Sequence, residues 1–209
     1  MWRLLALFAL ISATSVQAAD LTVTVKTAAG APVSDAVIMV YPAGGVPAGV
    51  QPHFDWPMRM AQQNLQFSPF VLVAPVGATV AFPNLDRVRH HVYSFSPAHP
   101  FELKLYGQEE TRTVRFDKAG PVALGCNIHD SMVAFIRVVD TPYAAKTGAD
   151  GVVVIHDLPP GEASLHVWRP YLKAPNNEVA RPVILPHGGG AAEVVTVDLH
   201  PPPAMKPMY

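Results

Sequence analysis

The protein has 209 residues, of which 50% are hydrophobic and 15% are charged, so the chain can bury a core and wholesale disorder is disfavoured. The formal net charge is -1, from 15 basic and 16 acidic residues. Without a basic field, nucleic acid is a poor candidate partner. The 22 prolines favour a β-rich, loop-rich fold, because proline interrupts helices.

The first 18 residues have the features of a secretory signal peptide. Arg3 gives a basic start, Leu4–Ile11 is apolar, and Val16-Gln17-Ala18 precedes a plausible cleavage point. The apolar run is too short to span a bilayer, and no other stretch is long and apolar enough to do so. We therefore expect an exported, periplasmic protein without a transmembrane segment after signal cleavage.

Two strand patterns follow the predicted signal peptide. Leu21–Val25 alternates apolar and polar residues, which predicts a half-buried strand. Gly30-Ala31-Pro32 predicts a turn, and Ala36–Tyr41 is then expected to be the returning strand. Pro42–Pro57 is rich in proline and glycine and is predicted to be a linker or long loop.

Many short strand patterns follow, separated by turn residues. The predicted strands of the central segment are Phe70–Ala74, Thr79–Pro83, His90–Ser96, Phe101–Tyr106, Thr111–Asp117, Pro121–Cys126 and Met132–Val139. The predicted strands of the last third are Gly151–Ile155, Ala163–Trp168, Val183–Leu185 and Glu193–Leu199. This pattern predicts an all-β sandwich or barrel. Residues 201–209 form a proline-rich tail that we expect to be extended and mobile.

The segment from Cys126 to Met132 contains three side chains that bind soft metals. Cys126 supplies a thiolate, His129 an imidazole and Met132 a thioether. This set suits copper, and a type 1 copper site needs a second histidine from elsewhere in the chain. Other interpretations remain open. The single cysteine could be a small buried hydrophobe or an intermolecular link, and Met132 could be ordinary core.

An upstream segment, Phe82–Val92, combines a strand end, an Asn-x-Asp turn and the pair His90-His91. With the Cys-x-x-His-x-x-Met segment downstream, it resembles the cupredoxins, the family of plastocyanin, azurin and amicyanin. The cysteine spacing is most similar to amicyanin. Further similar segments are Phe67-Ser68-Pro69, Gly77–Val80 and Phe116–Gly120. The resemblance covers about residues 60–140 and implies a Greek-key β-sandwich. It also implies one type 1 copper ion, with His90, Cys126, His129 and Met132 as ligands.

The resemblance has two departures around the predicted site. His91 stands where the family often has an asparagine that ties the two ligand loops together, and Gly125 stands where many members have an aromatic residue. Neighbouring residues in a strand point to opposite faces, so only one of His90 and His91 can face a buried metal. The motif alignment favours His90, which places Val92 on the same face.

The flanking segments contain Gly30–Val33 and Ala36-Val37 before the central segment, and Asp150-Gly151, Leu158–Gly161 and Leu165–Val167 after it. These motifs resemble a carboxypeptidase regulatory-like, or transthyretin-like, β-sandwich. We therefore expect a discontinuous sandwich, residues 19–45 and 141–200, with a cupredoxin-like domain, residues 58–140, inserted into it. Leu21–Val25 should then pack with strands after Asp140. Those strands offer the apolar side chains Val152, Val154, Leu165 and Trp168.

The functional hypothesis from the sequence is one-electron transfer through a type 1 copper ion, with a periplasmic redox protein as partner. The alternatives are a copper delivery or storage protein and a metal-free interaction module. No paired carboxylates and no nucleophile–base motif stand out. We therefore predict no catalytic residues and no enzymatic activity.

Overall fold

The structure, a computed structural model, describes residues 17–202. The predicted signal peptide and the proline-rich tail therefore lie almost wholly outside the described residues. The described chain forms sixteen β-strands and one short 3-10 turn at Pro175–Asn177, so the predicted all-β fold class is confirmed. Between residues 17 and 202, no helix is long and apolar enough to cross a membrane.

Strands from the two ends of the described chain form two sheets that face each other. Their bounds are β1 (Ala19–Thr27), β2 (Val37–Pro42), β12 (Ala144–Lys146), β13 (Val152–Leu158), β14 (Gly161–Trp168), β15 (Glu178–Leu185) and β16 (Gly189–Val197). One sheet has the order β13-β1-β16 and the other β12-β2-β14-β15. Their apolar residues share one buried cluster, which includes Leu21, Val23, Ile38 and Leu165.

The strands between them form a second sandwich. Their bounds are β3 (Ala61–Gln63), β4 (Gln66–Ser68), β5 (Val71–Pro75), β6 (Ala78–Pro83), β7 (His90–Ser94), β8 (Phe101–Tyr106), β9 (Thr111–Phe116), β10 (Gly120–Cys126) and β11 (Val133–Val139). The main sheet has the order β5-β11-β10-β7-β8, and β6 pairs with β9. Phe82 and Phe116 from the β6–β9 pair share a core with Val122 and Leu124 from the main sheet.

The first strand pairs as the split resemblance predicts. Leu21 lies opposite Ile155 of β13, and β1 also pairs in parallel with β16. Leu165 belongs to the same core, but Val154 is 38% exposed. Trp168 lies in a different cluster. The prediction was wrong for Val152, Val154 and Trp168, because the alternation along β13 and β14 puts these three side chains on the sheet faces that point away from this core.

The prediction that Ala36–Tyr41 returns beside β1 was also wrong. β2 pairs with β12 and β14 in the opposite sheet. Its run Val37–Val40 is fully buried, with Ile38 and Val40 in one cluster and Val37 and Met39 in another. A continuous apolar run is typical of a strand that is buried on both faces. A hairpin strand with one solvent-exposed face instead alternates apolar and polar residues.

Candidate metal centre

The predicted ligands lie at one end of the central sandwich because β7 and β10 are antiparallel neighbours. β7 begins at His90, β10 ends at Cys126, and Cys126 lies opposite Val92. This pairing puts the start of one strand beside the end of the other. His129 follows in the loop after β10, and Met132 directly precedes β11.

Three of the four side chains converge on one point. The Nδ1 atoms of His90 and His129 each lie 3.7 Å from Cys126 Sγ, and all three donor atoms lie within 4.8 Å of one another. A metal bonded at about 2.0 Å to nitrogen and about 2.3 Å to sulfur, with angles of about 120°, would place nitrogen and sulfur about 3.7 Å apart. The observed spacing therefore fits a three-coordinate metal.

The chemistry of the donors narrows the choice of metal. One thiolate with two imidazoles is the set that suits copper. Cys126 is 3% exposed and His90 is fully buried, whereas His129 is half-buried on its loop. Within residues 17–202, this is the one group of three or more histidine, cysteine or acidic side chains close enough to hold an ion.

Met132 is part of the same buried core. Its side chain is 1% exposed and belongs to the cluster that contains Cys126. Its backbone N–H donates to the carbonyl of His129 at 2.9 Å, which makes the loop a tight turn. A thioether is therefore part of the core that also contains Cys126, and the role of Met132 as a copper ligand stays a prediction.

The two adjacent histidines point to opposite faces of the sheet. His90 is buried, as are Val92 and Ser94, whereas His91 is partly exposed. His91 Nε2 lies 2.7 Å from Glu102 Oε1 on the outer face. Its backbone carbonyl accepts the N–H of Asn127 at 3.0 Å. The prediction that His90 faces the interior is confirmed. The hydrogen bond between the backbones of His91 and Asn127 also joins the two chain segments that carry the ligands.

A carboxylate that sequence reasoning treated only as a turn residue contacts His90. His90 Nε2 lies 2.9 Å from Asp86 Oδ2, and the Asp86 side chain is 12% exposed. Burial lowers the pKa of His90 below its usual value, and the hydrogen bond and charge of Asp86 partly oppose that shift. No single segment of the sequence signals this contact, because it depends on how the loop before β7 folds.

Gly125 stands where many cupredoxins have an aromatic residue, and in the structure an aromatic ring from the neighbouring strand lies beside it. Gly125 lies opposite Tyr93 across the β7–β10 pair. A Cβ atom built on Gly125 would lie 2.6 Å from Tyr93 Cζ and 2.7 Å from its hydroxyl, so the tyrosine ring occupies the space a side chain would need. Tyr93 also packs against Phe95, which is 84% exposed.

A second polar network lies on β14 and its neighbours. Ser164 Oγ lies 3.0 Å from His166 Nε2, and His166 Nδ1 lies 2.7 Å from Glu178 Oε1, which is the order of nucleophile, base and acid. Ser164 is in mid-strand between β2 and β15. Nearby N–H groups therefore belong to sheet ladders, whereas an oxyanion hole needs free ones. Glu178 also pairs with Arg137 of β11 at 2.7 Å, so the network ties the two sandwiches together.

No protein-family model and no curated protein sequence matches the chain, but solved structures match parts of it. A Cu-containing nitrite reductase from Thermus scotoductus SA-01 is 29% identical, with a TM-score of 0.39. That match covers 46% of this chain and 25% of the enzyme's chain, so it spans a quarter of the enzyme.

Two other matches cover nearly the whole length of the matched protein. A purple cupredoxin from Nitrosopumilus maritimus is 22% identical, with a TM-score of 0.35, over 39% of this chain and 98% of its own. A reduced variant of amicyanin is 21% identical, with a TM-score of 0.37, over 50% of this chain and 99% of its own. Because one matched protein is an enzyme, the absence of enzymatic activity here stays a prediction. These matched structures include cupredoxins, the family that the sequence motifs of this chain resemble.

Proposed function

We propose that this is an exported type 1 copper protein that passes single electrons between periplasmic redox proteins. One observation carries the proposal: the Nδ1 atoms of two imidazoles each lie 3.7 Å from the buried sulfur of Cys126, and sulfur with two imidazoles is a donor set that copper prefers. When bound there, copper supplies a one-electron couple between its two oxidation states. His90, Cys126, His129 and Met132 would hold it.

The way the ligands are held favours electron transfer over copper delivery. His90 and Cys126 are both buried and belong to paired strands. A donor set held in this way can bind both oxidation states with little rearrangement. A protein that hands its metal to a partner needs ligands that can be exposed. Here two of the three ligands are buried, and only His129 is partly exposed.

Reversible redox cycling tests the proposal. The mature protein loaded with copper should bind about one ion per chain, lose its colour with ascorbate and regain it with ferricyanide. It should do so over repeated cycles without losing metal, as measured by elemental analysis after desalting.

Other outcomes would support the alternatives. Tight binding of Cu(I), with no coloured Cu(II) form and ready loss to a chelator, would indicate delivery or storage. Copper below about a tenth of the protein concentration after loading would indicate a metal-free module and would overturn the proposal.

A further inference from the structure

The carboxylate of Asp86 is held from two sides. Its Oδ2 lies 2.9 Å from His90 Nε2. On the other side, Oδ1 accepts the backbone N–H of Asn64 at 2.6 Å and Oδ2 accepts that of Leu65 at 3.1 Å. The Asp86 side chain is therefore largely buried and makes three hydrogen-bond contacts.

The two backbone donors come from the turn between β3 and β4. Gln63 pairs with Gln66, so the turn consists of Asn64 and Leu65, and both have left-handed φ values of 55° and 56°. Two such residues form the tight turn of a hairpin. Here successive N–H groups point to the same side and make a concavity for an anion. A leucine with positive φ is unusual, and the contact with Asp86 gives a reason for it.

The loop that carries Asp86 is also fixed. The backbone N–H of Asp86 donates to Asn84 Oδ1 at 2.9 Å. Asn84 is fully buried, and its Nδ2 donates to the carbonyls of Val88 at 2.8 Å and Tyr106 at 3.1 Å. Asp86 therefore has little freedom to leave His90.

These contacts determine the tautomer of His90. Both carboxylate oxygens of Asp86 already act as acceptors for backbone N–H groups, so His90 Nε2 is the donor in its contact with Oδ2, and Nδ1 keeps its lone pair. That lone pair is on the atom 3.7 Å from Cys126 Sγ. Within the described residues, no carboxylate lies within ion-pair distance of His129, so the two histidines are held differently.

We propose that Asp86 is a positioning residue for His90: it fixes the ring orientation and tautomer, and its negative charge makes Nδ1 a stronger donor. The proposal rests on the proposed copper function. A stronger donor favours the more highly charged Cu(II), so loss of the Asp86 charge should raise the reduction potential. Partners of this kind, when removed, cost about 10- to 100-fold in metal affinity.

The test compares Asp86→Asn and Asp86→Ala with the unchanged protein. The matched control is Asp117→Asn, which removes an exposed carboxylate paired with Arg115. In the copper-loaded protein, Asp86→Asn should keep the colour and raise the reduction potential, and Asp86→Ala should lower copper affinity by at least about tenfold. The control should change neither quantity. Unaltered potential and affinity in both Asp86 variants would overturn the proposal.

A measurement on the metal-free protein separates this proposal from the copper function. Imidazole nitrogen NMR should show His90 protonated at Nε2 in the unchanged protein and a mixture of tautomers in Asp86→Ala. A proton on Nδ1 in the unchanged protein, or the same single tautomer in Asp86→Ala, would contradict the positioning role. If the NMR result holds but no coloured copper site forms in any protein, the proposed function fails and the role of Asp86 stands.

Discussion

At the scale of single residues, the two histidines of the candidate site differ in accessibility. His90 is fully buried at the start of a strand and bonded to Asp86. His129 lies on a loop between the exposed residues Ile128 and Asp130 and is itself half-buried. Removal of the His129 ring should therefore open the site to solvent, and removal of the His90 ring should leave a closed cavity.

This difference predicts opposite responses to added imidazole. His129→Gly should lose the coloured copper site and regain it with free imidazole, because the gap is open to solvent. His90→Gly should not be rescued, because its gap is closed and Asp86 would lose its partner. Absorption titrations with imidazole check both variants. Rescue of His90→Gly, or failure to rescue a folded His129→Gly, would contradict the assignment of the accessible ligand.

The facing of the histidine pair makes a second prediction. His91→Ala should leave the colour of the copper-loaded protein largely intact, because His91 bonds Glu102 on the outer face. His90→Ala should abolish it. Absorption spectra of the two variants at equal copper loading provide the measurement. Bleaching by His91→Ala, with the site kept in His90→Ala, would show that the assignment to faces is wrong.

At the scale of elements, Gly125 and Tyr93 lie opposite each other on the two ligand-bearing strands, and the tyrosine ring occupies the space beside the glycine. Gly125→Ala would place a Cβ atom 2.6 Å from Tyr93 Cζ, so the ring must move. Overpacking of this kind costs about 1–3 kcal/mol. Urea unfolding of the metal-free protein should show that loss, and the double variant Gly125→Ala with Tyr93→Ala should recover part of it. Equal losses with and without the tyrosine ring would contradict a direct clash.

The sequence predicted the bounds of some strands more accurately than those of others. The central strands from β5 to β11 were predicted within a few residues, because turn residues separate short apolar runs. β3, β4 and β12 have only three residues each, too few for a periodic pattern. The position of β2 was mispredicted, because an apolar run does not indicate which sheet it joins.

The same limit applies to the candidate site. Cys126, His129 and the His90-His91 pair are recognisable from residue type and spacing. The contact of Asp86 with His90 depends on a turn of the β3–β4 hairpin, and the contact of Tyr93 with Gly125 depends on strand register. Neither can be derived from a single segment of sequence.

At the scale of the whole molecule, an apolar cluster joins the two groups of strands. Val37, Met39 and Trp168 from the flanking strands pack with buried residues of the central strands, which are Val71, Val73 and Val139. Among the described residues, no strand of one group pairs with a strand of the other. The boundaries of a cupredoxin-like domain at 58–140, and of a sandwich at 19–45 and 141–200, are our proposal for this arrangement.

This arrangement predicts the behaviour of the isolated central segment. A fragment of residues 58–142 should fold and bind copper with the same spectrum, because the candidate ligands and their core lie within it. The fragment should be less stable than the whole protein, because Val71 and Val73 become exposed to solvent when the flanking strands are absent. Full-length Trp168→Ala should lose about 3–5 kcal/mol and keep the colour. Urea unfolding with absorption spectra checks both proteins, and an unfolded fragment would contradict the proposed boundaries.

The most direct test of the central claim is the absorption and paramagnetic resonance spectrum of the Cu(II)-loaded mature protein. A copper ion held by Cys126, His90 and His129 should give an intense visible band from thiolate-to-copper charge transfer and the resonance signal of a type 1 site. Both should vanish in Cys126→Ser, since serine supplies no soft thiolate. A spectrum with only weak visible bands, or one that Cys126→Ser leaves unchanged, would contradict the assignment.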